Sequence, residues 1–311
     1  MLEESGVFHA GERRLHDKLG ISERQHALGL RMIRDHMPDE HREFFAKLPA
    51  IHIGAIDLSG HPWAVVRTGQ AGFMHSANNK SLSISSQALA GEPADLDLSV
   101  GAKISVVGIE FETQRRNRLN ATIVASEGDT LSLRVDQSYG NCPKYIQVRK
   151  ETQIGEYQPA VPMTSSTFGA ENMDLIEAAD TLLIASRAKD LGDDPRFGVD
   201  INHRGGMPGF VTVLDDATIQ FPDYKGNNFY NTLGNILTDN RVGVQFVDFA
   251  TGTLLNIKGT AELIEDLNDG ALPLMGRGLR ITAHAVTRTE RALPMRYAFG
   301  AFSDRNPEIT S

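Results

Sequence analysis

The sequence predicts a mainly β fold with helices (α+β), built as two copies of one antiparallel unit behind an N-terminal helical arm. Three observations carry this. Short runs rich in β-branched residues alternate with Gly, Pro, Asn and Asp turns through most of the chain, the texture of an antiparallel barrel or sandwich. Helical spacing is strongest in the first 48 residues. One glycine-rich septet occurs twice, as Arg67-Thr-Gly-Gln-Ala-Gly-Phe73 and Arg204-Gly-Gly-Met-Pro-Gly-Phe210, sharing the arginine, two glycines and the phenylalanine.

In the arm (1–48), Leu15, Leu19, Leu28, Leu30, Ile33, Met37 and Phe44 fall mostly three or four residues apart among charges, as on amphipathic helices. Gly20 and Pro38 divide it, and Ser22 is placed to cap a second helix. The arm holds five of the ten histidines, His9, His16, His26, His36 and His41, with no i,i+4 pair for a helical metal site. They read as solvated or capping groups, and no metal is expected.

The first unit (49–150) offers six strands, at 50–56, 63–67, 81–85, 103–107, 121–124 and 130–135. Residues 151–170, rich in Pro, Ser and Thr without regular apolar spacing, read as a linker. The second unit (171–311) starts with a short helix near 172–179. Strands follow at 181–186, 198–201, 209–214, 218–221, 241–248 and 253–261, with a helix at 228–238 between the fourth and fifth. The echo between units continues in order: 81–84 parallels 218–221, Ser99-Val-Gly-Ala-Lys-Ile-Ser parallels Arg241-Val-Gly-Val-Gln-Phe-Val, and Asn141-Cys-Pro-Lys-Tyr145 parallels Ala292-Leu-Pro-Met-Arg296. One chain then forms its own pseudo-dimer.

Composition bounds the function. At 311 residues there is room for two cores. With 41% hydrophobic residues and no apolar run near the ~20 residues of a membrane span, no insertion is expected. The N-terminus lacks the basic start and apolar stretch of a secretory signal, so the expected location is cytoplasmic. The single cysteine, Cys142, excludes an internal disulfide. A net charge of −9 argues against nucleic-acid binding.

The chemistry concentrates in the second septet and its sequel, Phe221-Pro-Asp-Tyr-Lys-Gly-Asn-Asn228. Glycine lets backbone approach a ligand and arginine offers a fork of donors that matches phosphate. Elsewhere the bland readings compete. Arg115, Arg116 and Arg118 beside Glu110 and Glu112 fit a solvated strand face, with binding of an anionic substrate as the sharper alternative, and Trp63 fits a core. Asp215-Asp216 fits a hairpin turn. Cys142 fits a turn, with a nucleophile beside Lys144 as the sharper alternative. His203 stands equally as a ligand donor or a turn residue.

Those residues, with Leu233-Gly-Asn235, 242–248 and Asn141-Cys-Pro-Lys-Tyr-Ile146, resemble the pyridoxamine 5′-phosphate oxidase-like family of FMN-binding split barrels. Phe8-His-Ala-Gly-Glu12 resembles the start of its tandem, two-barrel subgroup. The resemblance implies two six-stranded Greek-key barrels with FMN between them. By position it places Arg204, Gly205 and Gly206 on the strand approaching the cofactor, and Phe221, Pro222 and Asp223 beside the ring. It puts Asn227 and Asn228 at the phosphate turn, and Cys142, Pro143, Lys144 and Arg149 on the opposite barrel. Asn-Asn is uncharged where the family often carries a cation, so phosphate charge falls to Arg204, Lys225 or a residue of the other barrel. The B6-phosphate signature of a Tyr, Arg and Ser along one helix with a late Arg-x-His has no counterpart. Duplication further implies one competent site and one degenerate. The expected function is an FMN-dependent oxidoreductase exchanging hydride with a small molecule or NAD(P)H, with no catalytic residue assigned and a homodimer of the whole chain as a further possibility. The alternatives are a non-catalytic flavin- or haem-binding protein and a deazaflavin-dependent reductase. For haem, His203, His52 and His75 are the candidate axial ligands.

Overall fold

A computed structural model describes residues 6–140, 142–152, 158–265, 267 and 276–307. Asn141 and much of 262–277 thus lie outside the described residues, as do residues 153–157 of the 151–170 segment.

Three helices form the arm: α1 (Ala10–Lys18), α2 (Ser22–Met32) and α3 (Asp39–Lys47). Gly20 takes φ +65° between the first two, and Pro38 precedes the third. Ser22 is not a cap; it is the first residue of α2, and Ile21 stands at the cap position without a side-chain bond. His9 does cap α1: its Nδ1 accepts from Gly11 N at 3.1 Å while Glu12 Oε2 accepts from His9 N at 2.9 Å. His16 and His41 depart from the solvated reading, since both are buried.

The first half supplies β1 (Ala50–Ile56), β2 (Pro62–Thr68), β3 (Met74–His75), β4 (Ser81–Ser85), β5 (Lys103–Glu110), β6 (Arg115–Glu127) and β7 (Thr130–Gly140). After β8 (Val148–Thr152), β9 (Met163–Ser165) and α4 (Ala170–Ala178) come β10 (Thr181–Arg187), β11 (Val199–Gly205), β12 (Thr212–Val213), β13 (Thr218–Pro222), α5 (Asn231–Ile236), β14 (Arg241–Asp248), β15 (Thr253–Ile264), β16 (Gly278–Thr289) and β17 (Arg296–Ala301). β16 was not among the expected strands, although Leu279, Ile281 and Ala283 alternate with Arg280, Thr282 and His284 as in a half-buried strand. The expected linker carries a strand, β9, which pairs with β16.

Two large antiparallel sheets result, ordered β2-β1-β5-β6-β7-β4-β3 and β11-β10-β14-β15-β16-β13-β12, and β17 pairs with β8 in a two-stranded ribbon. Shifting each number of the first by nine yields the second. Register agrees: Arg67 pairs with Ile51 as Arg204 pairs with Leu182. In one place the sequence echo is out of step by four residues. Val107 faces His52 as Gln245 faces Leu183, so Lys103, not Ser99, matches Arg241.

Each sheet has its own apolar core, the first completed by Phe44, Phe45 and Leu48 at the end of the arm. A third cluster lies between the sheets, including Val66, Val107, Leu183, Ile201, Val247 and Leu254. β11 packs on β5 and β14 on β2, the reciprocal contacts of a pseudo-twofold. Gly243 permits the second, since a Cβ there would lie 2.5 Å from Pro62 O.

Two buried histidines beside this interface make stability depend on pH. Burial pulls His52 and His61 down to about 4, so both fold neutral while the unfolded chain takes up protons below about 6.5. Stability is therefore full above that value and falls as pH drops toward about 4, each histidine contributing up to about 1.4 kcal/mol per pH unit. Urea midpoints at pH 7.5, 6 and 4.5 should decline in that order. A flat profile in that window overturns the assignment.

Candidate functional site

A cleft opens where the end of β11 meets the 222–232 segment of its own half and residues 142–145 of the other. Mouth included, its empty space is about 810 Å³. Of the residues singled out by sequence, it is lined by Arg204, Gly205, Pro222, Asp223, Asn227, Asn228, Cys142 and Lys144. Tyr145, Phe210, Tyr224 and Tyr230 add apolar faces.

Local backbone explains the shape. Gly205 has Tyr145 O so close that an added Cβ would stand 2.1 Å from it; any side chain would push the two halves apart. Tyr145, Asn228 and Tyr230, all on the cleft, adopt φ of 66°, 60° and 62°. Such conformations cost of order 1 kcal/mol or more for tyrosine and concentrate at functional sites. The halves are tied here by Tyr145 Oη donating to Lys225 O at 2.9 Å, with Lys144 Nζ 3.4 Å from the same oxygen.

Other expected residues go elsewhere. Phe221 is buried in the second core. Gly206 is covered by Phe210, whose Cβ would meet an added Cβ at 2.6 Å. Pro143 and Lys225 are exposed at the rim, Lys225 contributing only its carbonyl. Arg149 points away: its Nη2 donates to both oxygens of Asp180 and its guanidinium lies 4.2 Å over the Phe249 ring.

The charge arrangement differs from the sequence reading in two arginines. Arg118 is no solvated strand residue; it is fully buried between the halves. Its Nη2 meets Asp200 Oδ1 at 2.8 Å, and its Nη1 donates to Asn202 Oδ1 at 2.7 Å. Arg116 enters the cleft, with Nη1 donating to His203 Nδ1 at 2.8 Å and Nη2 to Cys142 O at 2.7 Å. Among the described residues it has no ion-pair partner. Burial lowers its pKa to about 10, so it stays charged at neutral pH. Alternation on β6 carried the missed signal: with two-residue periodicity, Arg116 and Arg118 share one face.

Arg204 is differently placed. Its Nη1 bonds Asp223 Oδ1 at 2.9 Å, and Asp223 Oδ2 takes Arg277 Nε at 3.2 Å. Asp223 thus offsets much of the charge that the sequence assigned to phosphate. His203 is held in one tautomer, because a guanidinium only donates: Nδ1 accepts, so Nε2 carries the hydrogen. That Nε2 is buried and has no hydrogen-bond partner among the described residues. Burial, then Arg116, keeps the ring neutral, with its pKa well below the usual histidine value.

The corresponding corner of the first half is built otherwise. Arg67 donates Nε to Glu92 Oε2 at 2.8 Å and its second nitrogen to Glu92 Oε1, and Leu254 occupies the register position of Arg116.

No family model matches the chain, and no curated protein matches it. Among solved structures it is similar to HupZ from Group A Streptococcus (17% identity, TM-score 0.30, covering 37% of this chain and 89% of that one). It is similar also to an FAD-binding protein from Mycobacterium smegmatis (16%, 0.28, 40% and 98%) and to one from Mesorhizobium loti (15%, 0.28, 42% and 99%).

Proposed function

We propose that the two sheets are tandem split barrels and that the cleft between them binds FMN, making the chain an oxidoreductase that exchanges hydride with a small organic molecule or NAD(P)H. The observation that carries this reading is a guanidinium with no ion-pair partner among the described residues, Arg116, standing with Lys144 in an aromatic-lined cleft. Such a site favours a planar anion with acceptor atoms. Arg116 and Lys144 supply charge for the phosphate, relieving the uncharged Asn227-Asn228 turn, and His203 Nδ1 holds the Arg116 guanidinium in place. The tyrosines shield the site from water. FMN supplies hydride and electron transfer chemistry when bound.

The same geometry weakens the haem alternative. Iron requires a bare Nε2 lone pair from an axial histidine, and Arg116 places the proton on that nitrogen of His203. A holder without turnover is separated from an enzyme by experiment. FMN titrated into the protein should show quenched fluorescence and saturate at one per chain, and NADH or NADPH should then bleach the flavin band. No saturable binding overturns the FMN reading; binding without reduction by any donor leaves a flavin carrier.

A further inference from the structure

The N-terminal arm contacts the back of the cleft at three positions. His16 Nε2 donates to the carbonyl of Asn228 at 3.0 Å, and the His16 ring lies 5.8 Å from that of Tyr230. Glu12 Oε1 accepts from Asn231 Nδ2. The opposite end of that amide, Asn231 Oδ1, accepts from Tyr139 Oη at 3.2 Å and Arg118 Nη1 at 3.3 Å. The first half and the arm therefore hold Asn231 from both sides, and its amide has one allowed orientation.

Backbone contact makes this attachment close. A Cβ on Gly11 would lie 2.0 Å from Gly234 O, and one on Gly234 would lie 2.6 Å from Glu12 N; α1 and α5 touch only because both positions are glycine. Phe8 covers the junction, 4.9 Å from His16 and 5.4 Å from Phe229. Further along, the arm joins the first half through Arg34 and Ser138, which exchange both backbone bonds, and through His41 Nδ1, 3.1 Å from Ser138 Oγ. It is a strap from one half to the cleft wall of the other. The wall needs one: Asn228 and Tyr230 both hold positive φ, a conformation that persists only where surroundings enforce it.

We propose that His16 and Glu12 are positioning residues of the ligand site, holding the 228–231 turn in its binding shape from outside the cleft. Neither residue lines the cleft. As a claim about FMN affinity this rests on the flavin reading; as a claim about the turn it stands alone, and the test separates the two. His16→Ala, His16→Gln and Glu12→Gln are made in the full chain, and thermal melting identifies folded variants. FMN affinity is read by fluorescence and amide hydrogen exchange of residues 227–231 is followed without ligand. The expected result for His16→Ala is about three- to tenfold weaker FMN binding, the worth of one neutral hydrogen bond, with faster exchange confined to the turn. His16→Gln, which keeps a donor, should recover most of both; Glu12→Gln, which keeps one acceptor oxygen, should show a partial loss. Unchanged exchange in folded His16→Ala and Glu12→Gln overturns the positioning role. Faster exchange with unchanged affinity overturns its link to the ligand. If the wild-type chain binds no FMN, the flavin reading fails and exchange alone decides the role of the arm.

Discussion

Replacing Arg118 by alanine is expected to lower stability by about 3–5 kcal/mol, the range for removing one partner of a buried ion pair. The residue is fully buried, and its loss leaves the Asp200 carboxylate with the amides of Asn120 and Asn235 at 2.9 and 2.6 Å but without its cation. Tyr139, whose ring lies 5.5 Å from the guanidinium carbon, also loses its packing partner. Urea unfolding followed by fluorescence measures the effect. Arg118 belongs to the first half and Asp200 to the second, so a shallower or biphasic transition would show the halves unfolding separately. Substituting both Arg118 and Asp200 by leucine should be far less costly than the sum of the singles, because no charge is stranded. A loss under 1 kcal/mol for Arg118→Ala contradicts the pairing described here.

Arg116→Ala is expected to weaken FMN binding by about 10- to 100-fold, corresponding to a charged hydrogen bond of roughly 1.5–3 kcal/mol. Arg204→Ala should cost less. Its guanidinium is already held by Asp223, and removing it frees that carboxylate only to rest on Arg277. Both dissociation constants are accessible by flavin fluorescence at fixed salt. Equal losses, or a larger loss for Arg204, would return the phosphate-binding role to the septet arginine.

Local rules made much of this chain readable before its fold was known. Residues 50–56, 81–85 and 241–248 were delimited as they occur, since β-branched alternation and turn residues act over a few positions. The septet repeat placed Arg67 and Arg204 at equivalent register. The twelve-residue β16 was missed although its alternation was legible; what only the tertiary structure shows is its pairing with β13 and β15.

Site chemistry divides along the same line. Residue types and the glycine positions were available from the sequence. Which arginine stands uncompensated was not. Arg204 looked free because Asp223 is nineteen positions away, and Arg116 looked solvated because its partner His203 is eighty-seven away, in the other half. Electrostatic role depends on what lies within a few ångströms, and for these side chains that is set by long-range packing. Glu12 and His16 show the same dependence over more than two hundred residues. The sequence by itself determined the strands, the repeated framework and the glycines that let the backbones meet. The tertiary structure decided the charge balance of the cleft, the tautomer of His203 and the attachment of the arm, because each arises only when distant segments are brought into contact.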